Sequence, residues 1–412
     1  MRRFVVDVAP LRASRDLRLL IGGELVAGLG TQAVLVALPY QLYVETHSAF
    51  LVGLLGAVEL LPLVAMSLLG GAIADRFDRR KLLLWIQIGL IATPAALAAL
   101  TIALEDPPIW ALYVLGGALA GFNSVQNVVR SAIIPNLVEP SLLRSALALN
   151  FGLYQLTLVL GPGLGGLLIA WLGVDAAYIT NAVTCLAMVG AVTAMSPQLP
   201  HVAEGPMLGI FRSIGEGLRF VGGNQALLGS FAIDIMAMTF GMPRALFPVL
   251  AVSVYHAGAA GTGLLFAAVS AGATVAALTT GWLSHARRLG RITIYAVLAW
   301  GAAIALAGVV PSLWPAAALL AIAGAADSVS AVCRSTINQT VTPDHMRGRM
   351  SSVFSLVVTS GPRLGDVESG AVASVAGTRF SVTSGGLACI AGVGLIMLLF
   401  PALLRYDAED YV

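Results

Sequence analysis

Charge is what this chain has least of: 11% of its 412 residues are Asp, Glu, Lys or Arg, where a soluble globular domain carries about 25%. That scarcity excludes an ordinary soluble fold. Lysine occurs once, as Lys81, and Leu82 follows it. A phosphate-binding loop needs Ser or Thr after its lysine, so an ATP-driven pump is excluded as well. Three cysteines (Cys185, Cys333, Cys389) lie far apart in apolar stretches, which gives neither a disulfide framework nor a metal site. The five histidines (His47, His201, His256, His285, His345) are scattered without metal-ligand spacing. Neither a metal, a cofactor nor enzymatic chemistry is expected. A formal net charge of +2 implies no nucleic-acid partner.

Long apolar runs are abundant instead. A mean hydropathy of +0.89 and spans of about 20 residues leave room for twelve membrane helices. They fall near 19–40, 50–73, 82–104, 109–133, 146–170, 176–195, 226–253, 260–284, 292–310, 313–337, 350–374 and 380–404. The first is too long for a signal-peptide core and lacks a cleavage site, so it is expected to stay as a helix. Arginines gather in alternate loops: Arg76, Arg79 and Arg80; Arg144; Arg212 and Arg219; Arg287, Arg288 and Arg291; Arg347 and Arg349. The intervening loops hold none apart from Arg379. Positive-inside bias therefore predicts cytoplasmic basic loops and cytoplasmic termini. An Ala-, Gly- and Arg-rich composition with a single Lys points to a high-GC bacterial source, and the expected location is the bacterial inner membrane.

The chain repeats itself. Residues 120–145 and 323–349 share Ser-Val and Arg-Ser at an offset of 204, and Gly161-Pro162 aligns with Gly361-Pro362. Both copies start from the same side, which predicts two parallel six-helix halves. The halves are 1–196 and 225–412, joined by 197–224, where apolar residues recur at helical spacing as in an interfacial amphipathic helix. One cavity shared by two halves makes a monomer sufficient.

Ionisable groups at membrane depth are expensive and mark function. Helical spacing groups them with other polar residues. Glu24 and Thr31 share a stripe in the first span; Asn123, Asn127 and Arg130 do so in the fourth, with Gln126 beside them. Asn150 and Tyr154 share one in the fifth, Asp327, Arg334 and Asn338 in the tenth, and Thr359, Arg363 and Asp366 in the eleventh. These faces are expected to line a wet, substrate-binding cavity. Arg363 and Asp366 stand at ion-pair spacing, and that role weighs equally with a functional one. Arg130 and Arg334 sit near helix ends, where a gating contact or snorkelling to the surface is expected. Glu24, Glu59 and Asp234 have no partner nearby in sequence. Burial favours the neutral form of a carboxylate, which suits a proton carrier. Glu59 and Asp234 are the first candidates, with Glu24 and Asp366 after them.

Two motifs carry a resemblance. The loop Gly71-x-Ile73-Ala74-Asp75-Arg76-x-x-Arg79-Arg80 resembles the one joining helices 2 and 3 of the major facilitator superfamily, with Asp78 where that family usually has a second Gly. Gly161-Pro162-x-x-Gly165-Gly166 is similar to the core of the antiporter motif in its drug-exporting members. From about Leu17 to Leu404 the chain looks like a twelve-helix, all-α transporter of this superfamily. It is most similar to bacterial exporters of the enterobactin-exporter type, through Ser14–Gly30, Thr46-His47-Ser48, Ala74-Asp75-Arg76-Phe77 and Arg347-x-Arg349. The resemblance implies alternating access, proton antiport and export of drug-like molecules or a siderophore. It also implies a gate at Gly71, Asp75, Arg76 and Arg79, in which Asp75 and Arg79 lock the cytoplasmic face. Small-residue packing alone would explain the helix-5 glycines, which leaves a facilitator or an uptake symporter open behind the export reading. A membrane sensor would need a cytoplasmic domain that the spans leave no room for, and the two-half repeat with asymmetric charges disfavours a channel.

Overall fold

The computed structural model describes residues 8–74, 77–198, 209–343 and 346–407. Every regular element among them is helical. In the first half of the sequence the long helices are α1 (Arg15–Thr46), α2 (Ala49–Ala74), α3 (Arg79–Ala103), α4 (Ile109–Leu137), α5 (Leu143–Leu172) and α6 (Val174–Ala194). In the second they are α7 (Gln225–Phe240, with an irregular continuation to Val254), α8 (Gly258–Thr279), α9 (Leu289–Val309), α10 (Leu313–Val341), α11 (Arg347–Ala376) and α12 (Thr378–Leu399). Ten of these stretches are long and apolar enough to cross a membrane. The other two, α4 and α11, are as long, at 29 and 30 residues. The protein is an all-α, multi-pass membrane protein.

Contacts divide the chain into two compact units: Met1–Glu45 with Val58–Gly205, and Thr46–Ala57 with Pro206–Val412. The start of α2 thus belongs to the second unit, and glycine is what admits it there. A Cβ on Gly370 of α11 would stand 2.9 Å from Gly53 Cα, and one on Gly56 would stand 2.8 Å from Asp366 Cβ. Small residues let membrane helices meet backbone to backbone, where dispersion replaces the absent hydrophobic drive. In the first unit Gly161 and Gly165 seat α5 on α1 in the same way, against Gln32 and Ala33.

The repeat persists in backbone detail. A single left-handed glycine joins α5 to α6 (Gly173, φ 94°) and another joins α11 to α12 (Gly377, φ 90°). His47 and His256, after α1 and after the α7 stretch, take φ of 50° and 51°. Both are non-glycine residues in a region that L-residues seldom occupy.

One predicted span departs from expectation. Residues 226–253 do not form one continuous helix: α7 stops at Phe240, and the chain resumes after Gly241-Met242-Pro243 as a 3₁₀ turn, a short α turn and a π turn. Pro243 has no N–H and disfavours helix at Met242. The freed backbone groups find partners: Trp300 Nε1 donates to Gly241 O at 2.8 Å, and Ala245 N donates to Asp366 Oδ1 at 3.1 Å. Inside a bilayer such a break persists only where these groups are satisfied.

Helix Gly209–Gly222, in the linker, lies along the start of α11. Glu216 pairs with Arg349 at 2.9 Å, and a Cβ on Gly217 would meet Val353 at 2.7 Å.

Candidate functional site

In the first unit the polar residues converge from five helices. Glu24 of α1 forms an ion pair with Arg130 of α4. Gln126 Nε2 donates to Glu24 Oε2 at 3.3 Å, and Gln87 of α3 donates to Gln126 at 2.6 Å. Arg130 also donates to Asn127 at 3.2 Å, and its guanidinium lies 5.7 Å from the centre of the Tyr154 ring. Thr31 donates to Asn181 of α6 at 3.4 Å. Asn123 and Asn150 are half-buried on α4 and α5, and Glu59 is buried in α2.

The second unit repeats the arrangement with more charge. Asp234 of α7 pairs with Arg334 of α10 at 2.7 Å, both side chains 2% exposed. Arg334 reaches Asp327 as well, at 3.7 Å. Arg130 and Arg334 are repeat partners, so in each repeat the arginine of the fourth helix meets a carboxylate on the first. Beside the α7 break, Asp366 lies between Arg363 at 3.8 Å and Arg244 at 3.9 Å. A cavity of about 10 Å³, room for about one water, is lined by Gly241, Met242, Pro243, Trp300 and Asp327 among others. Thr359 is half-buried on α11.

Arg130 and Arg334 do not snorkel, because each is turned into an ion pair and is 8% and 2% exposed. Glu24 and Asp234, isolated in sequence, gain arginine partners from another helix.

Arg79 of the predicted gate, and Arg80 beside it, donate to carbonyls of the first unit. Arg79 donates to the carbonyls of Ala74 (3.2 Å) and Ala132 (2.9 Å), and Arg80 to those of Val192 (2.9 Å) and Thr193 (2.5 Å). These arginines neutralise carbonyls near helix C-termini, where a cation is favoured. Asp78 caps α3 by accepting from Arg80 N at 2.9 Å, a physical use for the residue that replaces the family's glycine. Gly71 lies in the last turn of α2, whereas Asp75 and Arg76 lie outside the described residues.

The sequence profile of the family described as transmembrane secretion effector, a branch of the major facilitator superfamily, matches residues 6–412. The chain belongs to this family. Among curated members it is 30% identical over 379 residues to the "Enterobactin exporter EntS" of Citrobacter koseri, covering 90% of this chain and 88% of that protein. The protein of that name from Salmonella paratyphi A is 31% identical over 379 residues, with the same coverages. Solved structures of the superfamily share the fold. A POT family transporter in complex with 5-aminolevulinic acid has a TM-score of 0.72 at 12% identity, covering 95% of this chain and 97% of its own. A bacterial homologue of the iron transporter ferroportin has a TM-score of 0.67 at 17% identity, covering 94% and 98%. This major facilitator protein is thus a secondary transporter.

Several polar residues of these networks escape sequence reasoning. Gln87 is fully buried but stands alone on an apolar helix. Tyr178 donates to Gln41 at 2.7 Å, and Gln41 to Glu45 at 2.6 Å, across α1 and α6; nothing in the spacing of either helix signals that bond. Arg244 carries a signal, since it is a charge directly after Gly-Met-Pro inside an apolar span.

Proposed function

We propose that this transporter exports small amphipathic molecules, drug-like compounds or a siderophore, by alternating access coupled to proton antiport. It works as a monomer in a bacterial inner membrane with both termini cytoplasmic. The relatives' name, enterobactin exporter, supports the direction and the siderophore class. The alternation of basic loops supports the orientation.

The observation that carries the coupling is the repeated arginine–carboxylate pair, Glu24 with Arg130 and Asp234 with Arg334. At membrane depth each charge depends on its partner, since removing one leaves the other uncompensated. A proton that neutralises the carboxylate therefore releases the arginine to seek a new acceptor, and one binding event shifts helix contacts. Asp327 offers Arg334 such an acceptor. Glu59, buried on α2, is the further carrier. Asn123, Gln126, Asn127, Asn150, Tyr154, Thr31, Thr359, Asp327 and Arg363 supply the polar lining for the cargo.

A facilitator or uptake symporter is the second reading. It is favoured by the seating of Gly161 and Gly165 on α1, which accounts for the helix-5 motif by packing alone.

Proteoliposomes with an imposed pH gradient separate the two. Antiport predicts proton movement opposite to the cargo, lost in Glu59→Gln or Asp234→Asn. Cargo flux with no proton movement would leave the facilitator.

A further inference from the structure

The start of α9 presents a cationic face to the membrane. Arg288, Arg291 and Tyr295 follow one another at helical spacing, and all three are exposed. The stripe continues through Ala299 to Leu306 and Val309, which are exposed and apolar. In a multi-pass membrane protein an exposed, wholly apolar helix face borders lipid. From Arg291 to Val309 the helix rises about 27 Å at about 1.5 Å per residue, close to the roughly 30 Å of a hydrocarbon core. The arginines therefore stand at the headgroups, with the Tyr295 ring at the boundary where amphipathic rings settle.

A further cation comes from the C-terminal end of the chain. The short helix Pro401–Arg405 is seated on the start of α9. Leu403 and Tyr406 are buried, and a Cβ on Gly290 would collide with the Leu403 carbonyl. Arg291 Nε donates to Leu404 O at 3.4 Å, which brings the exposed Arg405 alongside.

The first repeat keeps this frame with a different charge. Helices α3 and α9 begin 210 residues apart, at Arg79 and Leu289. In that register the exposed Lys81 and Trp85 stand for Arg291 and Tyr295, so each repeat shows lipid a cation above an aromatic ring. Asp78 stands for Arg288. Its carboxylate caps α3 and puts an anion three residues from Lys81. Arg288 instead puts a second cation three residues from Arg291, and residues 280–310 hold no Asp or Glu. Charge that the first repeat balances from its own sequence is left in the second to an anion from outside.

We infer that Arg288, Arg291 and Arg405 form a binding site for the phosphate of an anionic phospholipid whose acyl chains lie along the Tyr295–Val309 face of α9. A lipid is the occupant because the arginines and the apolar stripe share one face. A zwitterionic lipid would bring its own cation into the cluster, whereas phosphatidylglycerol brings only its phosphate charge. The site is independent of the cargo and of the coupling ion.

Native mass spectrometry tests it on the purified full-length protein, titrated with phosphatidylglycerol or phosphatidylcholine of identical acyl chains. The first phosphatidylglycerol should bind about tenfold more tightly than the first phosphatidylcholine. Arg288→Gln with Arg405→Gln should remove most of that preference. Arg144→Gln with Arg219→Gln takes the same charge from two exposed arginines elsewhere and should leave it intact. Arg288→Asp restores the charge found at the start of α3 and suits a helix N-cap, so its expected loss of preference is not a folding defect. Equal binding of the two lipids, or equal losses in the two double variants, would overturn the site. The carboxylates nearest in sequence to Arg405 are Asp407, Glu409 and Asp410, the last two outside the described residues. A preference absent from the parent and created by Asp407→Asn, Glu409→Gln and Asp410→Asn together would assign the arginines to the chain's own tail and overturn the lipid site as well. Glycerophosphoglycerol, the headgroup without its chains, should not displace bound phosphatidylglycerol at equal concentration. Displacement would reduce the site to a phosphate pocket and remove the lipid from the assignment.

Discussion

At the scale of the residue, the Asp234–Arg334 pair is the most sealed charge in the second unit, with both side chains 2% exposed. Breaking such a pair from one side leaves a buried charge and costs about 3–5 kcal/mol. Arg334→Gln should therefore lower the thermal unfolding midpoint of the detergent-solubilised protein sharply, and Asp234→Asn with Arg334→Gln should recover part of the loss. If the double variant proved as unstable as the single one, the two side chains would not be acting as a pair. The stripe holding Arg130 with Asn123 and Asn127 was legible, because helical spacing is a property of one segment. The partners were not: Glu24 and Arg130 lie on different helices far apart in sequence, and no periodicity connects them. Loop arginines follow the same rule. The loop of Arg79 and Arg80 announced itself by composition, but the carbonyls they cap, Ala132, Val192 and Thr193, belong to α4 and α6.

At the scale of the element, α7 shows how a local signal can be present and still underweighted. Gly241-Met242-Pro243 is a helix breaker, yet the apolar run continues on both sides of it, and hydropathy alone predicts one span. What holds the break is Trp300, 1% exposed and donating to Gly241 O. Trp300→Phe keeps most of the buried area and removes that bond, so stability should fall by about 1–3 kcal/mol, the cost of an unsatisfied buried carbonyl. Helix crossings give a second, sharper expectation. In α10 a Cβ on Gly324 would collide with the Val269 carbonyl of α8 and stand 3.1 Å from Val269 Cα, whereas one on Gly281 meets nothing within 4 Å. Gly324→Val should abolish monodisperse protein on size exclusion, since overpacking against backbone has no side chain to move aside. Gly281→Ala should elute as the parent does. Equal tolerance at both positions would show that the α8–α10 crossing is looser than its geometry.

At the scale of the molecule, the two repeats share a scaffold and differ in charge. Gly173 and Gly377 turn the chain in the same way, and Arg130 and Arg334 each meet a carboxylate on the first helix of their repeat. Against that shared frame Asn123 becomes Asp327, Gly163 becomes Arg363 and Gly166 becomes Asp366. Duplication explains what is common, and the departures mark where the second unit acquired chemistry of its own. The repeat was readable because Arg, Ser, Pro and Gly recur in fixed order. The assignment of Thr46–Ala57 to the second unit was not, because it arises from glycines on α2 and α11 that look like ordinary small residues in an apolar run. That assignment has a consequence for divided chains. A fragment covering 206–412 lacks Gly53 and Gly56, so Gly370 and Asp366 lose the helix that covers them. Expressed alone it should be degraded, and co-expression with 1–205 should restore both its steady-state level on an immunoblot and flux in vesicles. A fragment 206–412 that accumulates by itself, folded and protease-resistant, would mean that the α2 segment is a passenger rather than a part of the second unit.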